Sequence, residues 1–237
     1  MSASLSKRLM LCAGLVAGGK TVCDVGTDHA LLPVYLVENG VCERAYACDI
    51  ADGPLKSAKK SIDASPCANR IRIIKSDGLD NVSPEGISDV VIAGMGGELI
   101  IDIVARAEWL KHGVNLVLQP NTREPELISW LYENGYEIIC QRACEDGGFL
   151  YTAMRAVYTG SPRKPSETER IVGALDPRDA SAKKYIIKQA SRLETAAKAM
   201  SESRNGEVLS RAEEIISRVK QLYRYIGEDY DNSITDL

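Results

Sequence analysis

Residues 22–33 read V-C-D-V-G-T-D-H-A-L-L-P. A short apolar run stops at Asp24, turns through Gly26 and Asp28, and gives way to an apolar helical pattern. This is how a buried parallel strand hands over to a helix, and it places two carboxylates and one glycine at the corner. A loop built for a pyrophosphate carries G-x-G-x-x-G and no acid, since phosphate needs several close backbone N–H groups and is repelled by carboxylates. The corner therefore excludes a dinucleotide better than it identifies its own ligand.

The same alternation continues outward from this corner. Runs 21–25, 44–48, 70–75, 89–93 and 116–119 are apolar and strand-like. Helices are predicted over Ala30–Asn39, Pro54–Ala64 (capped by Asp52), Glu98–Glu108 and Glu124–Asn134, with Gly40 and Gly135 as stops. Two last strand-like runs, 136–144 and 149–157, are joined by E-D-G-G and read as an antiparallel hairpin. Strands alternating with helices give an α/β fold, a doubly wound and mostly parallel sheet covered on both faces. Seven strands with the last pair antiparallel are expected.

After residue 160 the pattern changes. S-P-R-K-P-S (161–166) reads as a linker. Val208, Ala212, Ile215, Val219, Leu222 and Ile226 then recur at alternating intervals of four and three, a coiled-coil seam. Ile186, Leu193 and Met200 lie seven apart, with Gln189 or Ala190 and Ala196 or Ala197 filling in, and R-N-G (204–206) is a helix–helix turn. The expected division is a sheet domain 1–160, a linker 161–175 and a helical coiled-coil arm 176–237. Residues 1–159 hold 15 Lys and Arg against 20 Asp and Glu, whereas 160–226 hold 14 against 9. The second stretch is either an ordinary solvated surface or a basic arm that meets a polyanion.

Composition narrows the class. Of 237 residues, 45% are apolar and 26% charged, as in ordinary globular proteins. The seven cysteines form no C-x-x-C pair and read as buried free thiols. Two histidines, His29 and His112, exclude a histidine-rich metal centre, and no metal is expected. Lys7 and Arg8 before an apolar run imitate a signal peptide. However, Leu5, Leu9, Cys12 and Val16 recur at helical spacing after Ser4 as N-cap, and no A-x-A site follows. No run approaches the ~18 apolar residues of a membrane span. A cytoplasmic monomer with no membrane partner is expected.

In an open α/β sheet the ligand binds beyond the carboxyl ends of the strands. Four aspartates fall there. Asp24 and Asp28 flank the first corner, Asp49 precedes Ile50 after strand two, and Asp77 precedes Gly78 after strand three. Asp49 stands where nucleotide folds keep the acid that accepts both ribose hydroxyls, and Asp77 with Gly78 suits an adenine amino group. S-adenosylmethionine has the adenosine without phosphate and carries two cationic groups, which fits the acidic corner at Asp24, Gly26 and Thr27. For any one aspartate, helix capping or turn formation is an equal reading. I-A-G-M-G-G (92–97), with Gly94, Met95 and Gly96, either allows close backbone approach or makes a tight turn. Asn121 either meets a base edge or caps the next helix. His29 either lines the pocket or satisfies backbone groups.

Together L-S-K-R-L (5–9), D-V-G-T-D-H-A-L-L-P (24–33), S-D-G-L (76–79), I-A-G-M-G-G (92–97) and L-V-L-Q-P-N-T-R-E (116–124) resemble the bacterial tRNA (adenine-22-N1)-methyltransferase family, TrmK-type. Thr27 stands where serine is common and Asp49 where Glu is frequent, both modest departures. The resemblance implies a seven-stranded Rossmann-like class I methyltransferase sheet with a helical coiled-coil arm. It also implies S-adenosylmethionine as methyl donor (S-adenosylhomocysteine as product) and tRNA as partner, methylated at N1 of adenine 22 in the D arm. That nitrogen has a free lone pair, so alignment matters more than a base. Asp28 is then placed to stabilise the cationic product ring, with His29 and Asn121 as further catalytic candidates. Arg123, Phe149 (stacking or core), Lys183, Lys184, Lys188, Arg192, Arg211 and Arg218 are the candidates for tRNA contact. The missing D/N-P-P-F/Y/W motif after strand four disfavours attack on an exocyclic amine. Methylation of another RNA position or a small molecule, a non-catalytic RNA-binding protein and a nicotinamide oxidoreductase are the competing readings.

Overall fold

The computed structural model describes residues 5–230. Seven strands form one sheet in the order β3-β2-β1-β4-β5-β7-β6. They are β1 (Gly19–Val25), β2 (Cys42–Asp49), β3 (Ile71–Lys75), β4 (Ile87–Gly96), β5 (Asn115–Thr122), β6 (Tyr136–Asp146) and β7 (Phe149–Tyr158). The first five pair in parallel, and β7 runs antiparallel to both β5 and β6. The order reverses between β1 and β4, so a crevice opens at their carboxyl ends, where α/β sheets hold ligands.

Helices α1 (Lys7–Ala13), α2 (Leu31–Glu38), α3 (Asp52–Asp63), α4 (Gly97–Arg106) and α5 (Glu124–Glu133) cover the sheet. Double coverage explains the near-continuous apolar strands. Leu116 and Leu118 of β5 point to one face with Ile92, Ile100 and Leu131, while Val117 joins Val22, Ala47 and Leu36 on the other. Each fully buried large side chain of this kind contributes about 1.5–3 kcal/mol relative to exposure.

Several local expectations change. Ser6, not Ser4, caps α1, accepting from Leu9 N at 3.3 Å; Ser4 lies outside the described residues. Asp52 does not cap α3. It is the first helical residue, and its carboxylate pairs with Lys75 at 2.7 Å across the edge of the sheet. The G-M-G stretch is not a turn but the end of β4, in register with Pro120 and Thr122 of β5. All seven cysteines are free, five of them buried.

The 161–175 segment contains a helix that its prolines conceal, α6 (Glu167–Val172). It opens with a capping box in which the Ser166 hydroxyl accepts from Glu169 N and the Glu169 carboxylate accepts from Ser166 N. Then come α7 (Ala180–Ser201), capped by Asp179, and α8 (Gly206–Tyr225), capped by Asn205. At 22 residues α7 is about 33 Å long. Ile186, Ala190 and Ala197 of α7 are buried, as are Ala212, Ile215, Val219, Leu222 and Ile226 beyond the turn, so the two apolar stripes cover each other. The base of the pair also packs on the sheet unit through Val172, Leu175 and Leu150.

Gly97 locks the corner beneath the site. A Cβ there would lie 2.5 Å from the Arg123 carbonyl oxygen and 3.0 Å from that of Thr122, both backbone atoms. Gly97→Ala is expected to destabilise by about 1–3 kcal/mol through overpacking, read as a lower urea midpoint with an unchanged slope. Gly53→Ala in α3, where a Cβ meets nothing within 4 Å, is expected to be neutral or stabilising by up to about 1 kcal/mol.

Candidate active site

The tips of three strands are tied together at the switch point. Gly26 N and Thr27 N both donate to Cys48 O at 2.9 Å, joining the first corner to β2. Ser76 N donates to Asp49 O at 3.0 Å, joining β2 to the loop after β3. Gly26 has φ +74, a conformation strained for other residues, and a Cβ there would also displace the Met95 methyl, so the corner favours glycine. Asp28 (φ 48) and Ala30 (φ 54) also adopt left-handed backbone. Two non-glycine residues in that region within three positions store strain where the chain turns into α2, a pattern typical of functional corners.

Asp24 is buried at the end of β1. Burial pushes its carboxyl up to about 6, the Thr27 hydroxyl works against that rise, and the Asp49 charge adds to it. Asp28 and His29 are exposed, their side chains 3.6 Å apart. Asp49 is half-buried and accepts from Ala51 N at 2.9 Å, while Ile50 beside it is 60% exposed, an apolar platform at the rim. Asp77 is turned outward, accepting from Arg106 Nη2 at 3.1 Å, and Gly78 (φ +54) sits against Ile103. A cavity of about 110 Å³ runs along Asp24, Gly26, Asp28, His29 and Ala93, closed on one side by Arg8.

Arg8 is the residue that sequence reasoning passed over. From α1 its Nη1 donates to Gln119 Oε1 at 2.6 Å, and its guanidinium approaches Gly94 and lies 5.8 Å from the centre of the Tyr151 ring. The same Gln119 oxygen accepts from Gly94 N at 3.0 Å. Asn121 completes this network. Its Nδ2 donates to Gly94 O at 2.8 Å and its Oδ1 accepts from Gln119 Nε2 at 3.3 Å, so it holds the tip of β4. It does not cap α5, whose N-cap is Arg123 in left-handed backbone.

The larger opening, about 370 Å³, lies beyond Asn121 and is walled by the β6–β7 hairpin and α7. Phe149 stands at its lip, 62% exposed. It is not a core residue. Lys188 and Arg192 line this cavity. The other cations separate from it: Lys183 pairs with Glu228 at 2.6 Å, Lys184 with Glu145 at 3.3 Å, Arg218 with Glu167 at 3.1 Å, and Arg123 with Glu126 at 3.2 Å. Arg211 is exposed on α8. Beneath the opening Glu124 is buried and fully bonded, accepting from Gln141 Nε2 and Thr152 Oγ1 at 2.7 Å each and from the Tyr185 hydroxyl. Burial raises its carboxyl despite those donors. Neither Glu124 nor Tyr185 stood out in the sequence, because their partnership spans 61 residues. Among the described residues no group of three or more His, Cys, Asp or Glu is placed to hold a metal ion, and no helix is long and apolar enough to cross a membrane.

A carboxyl whose folded pKa lies above its unfolded value penalises the fold where it is ionised. For Asp24 the penalty is absent below about 4 and complete above about 6. Asp24→Asn is therefore expected to stabilise the ligand-free protein at pH 7 to 8, by at most about 3 kcal/mol, with the gain vanishing as pH falls through 6 towards 4. Thermal melts of both proteins across that range check it.

A family model described as a methyltransferase domain matches residues 5–154. A Bacillus subtilis protein named tRNA (adenine(22)-N(1))-methyltransferase is 37% identical over 153 residues, 64% of this chain and 64% of the relative, so the aligned sequence spans slightly less than two thirds of it. The crystal structure of the B. subtilis M1A22 tRNA methyltransferase TrmK superposes with a TM-score of 0.82 at 28% identity, covering 94% of this chain and 99% of that one. TrmK of M. capricolum, solved with S-adenosyl-homocysteine, superposes with a TM-score of 0.75 at 26% identity, covering 94% and 98%. The superpositions cover 94% of this chain where the sequence alignment covers 64%, and this chain belongs to the tRNA (adenine-22-N1)-methyltransferase family.

Proposed function

We propose that this chain is an S-adenosylmethionine-dependent methyltransferase that modifies N1 of adenine 22 in the D arm of tRNA, working as a cytoplasmic monomer. The observation that carries the reading is Asp24: a buried carboxylate held at an energetic cost beside a glycine-opened corner fits a cation without phosphate. Bound there, S-adenosylmethionine supplies an electrophilic methyl group.

The chain's own residues bind and orient. Asp24 with Gly26 and Thr27 receives the cationic end, and Arg8 at the mouth of the same cavity suits the methionine carboxylate. Asp49 accepts the ribose hydroxyls, Ile50 covers the adenine, and Asp77 with Gly78 meets its amino group. Gly94, Met95 and Gly96 bring the tip of β4 beside the reacting atoms, and Asn121 is a positioning residue for that tip. Asp28 faces the side on which positive charge develops as the ring is alkylated, so its carboxylate stabilises the transition state electrostatically. His29, 3.6 Å away, orients it. The proposal keeps the division of the chain into 1–160, which binds the donor, 161–175, which connects and carries α6, and the arm 176–237, of which 231–237 lie outside the described residues. Lys183, Lys184, Arg211, Arg218 and Arg123 meet tRNA phosphates, the paired ones by exchanging their carboxylate partners.

Incubation of unmodified tRNA with labelled donor, followed by primer extension, tests the assignment. A stop opposite adenine 22 is expected, and a stop elsewhere or none overturns it. Asp28→Asn is expected to lower kcat about 10–100-fold while donor affinity stays within about twofold. Single-turnover kinetics with calorimetric titration of the donor separate the two effects.

A further inference from the structure

The larger cavity is built from parts the preceding reading leaves idle. On one wall, Phe149 and Tyr151 are two residues apart on β7 and so share a face of the strand, their ring centres 6.5 Å apart and tilted by 52°. On the opposite wall Tyr185, Lys188 and Arg192 recur at helical spacing along α7. Among the described residues neither Lys188 nor Arg192 has an ion-pair partner, in contrast to Lys183 and Lys184 on the same helix. The floor is Asn121, hydrogen-bonded to the tip of β4, and Arg8 borders both this cavity and the one at Asp24, so the two are neighbours on either side of its side chain. Two aromatic rings facing two cations without an ion-pair partner among the described residues are the chemistry of a single nucleotide, with a π-face for the base and positive charge for its flanking phosphates. About 370 Å³ is within the range of small-ligand pockets.

The wall is also fixed in place. The Tyr185 hydroxyl donates to Glu124, whose other oxygen accepts from Gln141 and Thr152, so one buried carboxylate pins α7 to α5, β6 and β7 at once. Gln141 extends the tie by accepting from Ala174 N at 2.9 Å. Losing such a fully satisfied buried group is costly, and α7 therefore cannot swing away from the hairpin as a tethered handle would.

We propose that this cavity holds the extruded target nucleotide, with Tyr151 stacking on the adenine and Lys188 and Arg192 on its flanking phosphates, so that the arm helix forms one wall of the active site. The inference rests on the tRNA methylation reading and adds where the base sits. An N1 target lies on the pairing edge and must leave its stack before reaction. Most affinity for tRNA comes from phosphate contacts. Removing the stacking platform therefore lowers the fraction of bound tRNA with its base in place, and it is kcat that registers the loss.

The test compares Tyr151→Ala, Tyr151→Phe and the double variant Lys188→Gln/Arg192→Gln in the full-length protein. With Tyr151→Ala, kcat at saturating tRNA is expected to fall at least about tenfold, with tRNA Kd within about threefold. Tyr151→Phe, which keeps the ring, restores most of it. The double variant lowers kcat and flattens the salt dependence of tRNA binding by about one to two log–log units. Donor affinity stays within about twofold throughout. A raised KM with unchanged kcat makes the cavity a docking surface outside the reaction and overturns the proposal; weakened donor binding assigns the cavity to the cofactor and overturns it too. If the wild-type protein transfers no methyl to tRNA, the functional reading fails first. Binding of a short single-stranded RNA with an unpaired adenine then decides for the cavity alone: about tenfold weakening by Tyr151→Ala and by the double variant supports it, and unchanged binding overturns it.

Discussion

A carboxylate taken out of water at the tip of the central strand is the constraint on which the molecule turns. Asp24 gains little from its protein neighbours: burial raises it, Asp49 raises it further, and only the Thr27 hydroxyl opposes them. A strand end that only needed to be stable would carry an apolar or amide side chain there. Retaining the acid makes sense when a cation completes the site, since the attraction between opposite charges grows as water is excluded. The lone glycine of the corner follows from the same demand. It lets the ligand come close to the backbone without the row of N–H groups a diphosphate would need.

The rest of the architecture presents this acid. Parallel pairing of β1 with β2 and β4 brings three loops to one rim, and the hydrogen bonds from Gly26 and Thr27 to Cys48 keep the first corner from fraying. On the far side, Gln119 and Asn121 tie β5 to β4, and Arg8 reaches from the N-terminal helix into the same network. A second buried acid, Glu124, does for the helical arm what Asp24 does not do for itself: both its oxygens accept from protein donors, three in all. One acid is left open for a ligand, and the other is closed to hold the fold.

Much of this was legible because burial on both faces leaves a clear trace. The short, mostly apolar runs of β1, β2, β4 and β5 locate the sheet, E-D-G-G locates the hairpin, and the four–three spacing from Val208 to Ile226 locates α8. The aspartates at strand ends locate the rim. What was hidden was short or distant. Helix α6 is six residues long, too short for a periodic pattern, although S-E-T-E at 166–169 carries its capping box. The G-M-G end of β4 looks like a turn because glycine is judged by its freedom, whereas its strand pairing depends on a neighbour in β5. Arg8 reads as half of a Lys-Arg pair that imitates a signal peptide, and Tyr185 with Glu124 as two unrelated residues, until the chain folds them together. Of the two readings of Asn121, helix capping falls away, since its amide is spent on Gly94 and Gln119 rather than on a helix end.

The claim that the open acid waits for a cation can be measured at the acid itself. Carbon-detected NMR titration of the Asp24 carboxyl, without and with saturating S-adenosylmethionine, reports its ionisation directly. The account requires a midpoint near 6 in the free protein that falls by about one pH unit or more in the complex, the shift equivalent to roughly a tenfold preference of the ligand for the ionised form. A midpoint that stays where it was, or moves upward, would mean that the buried charge is not what the ligand recognises.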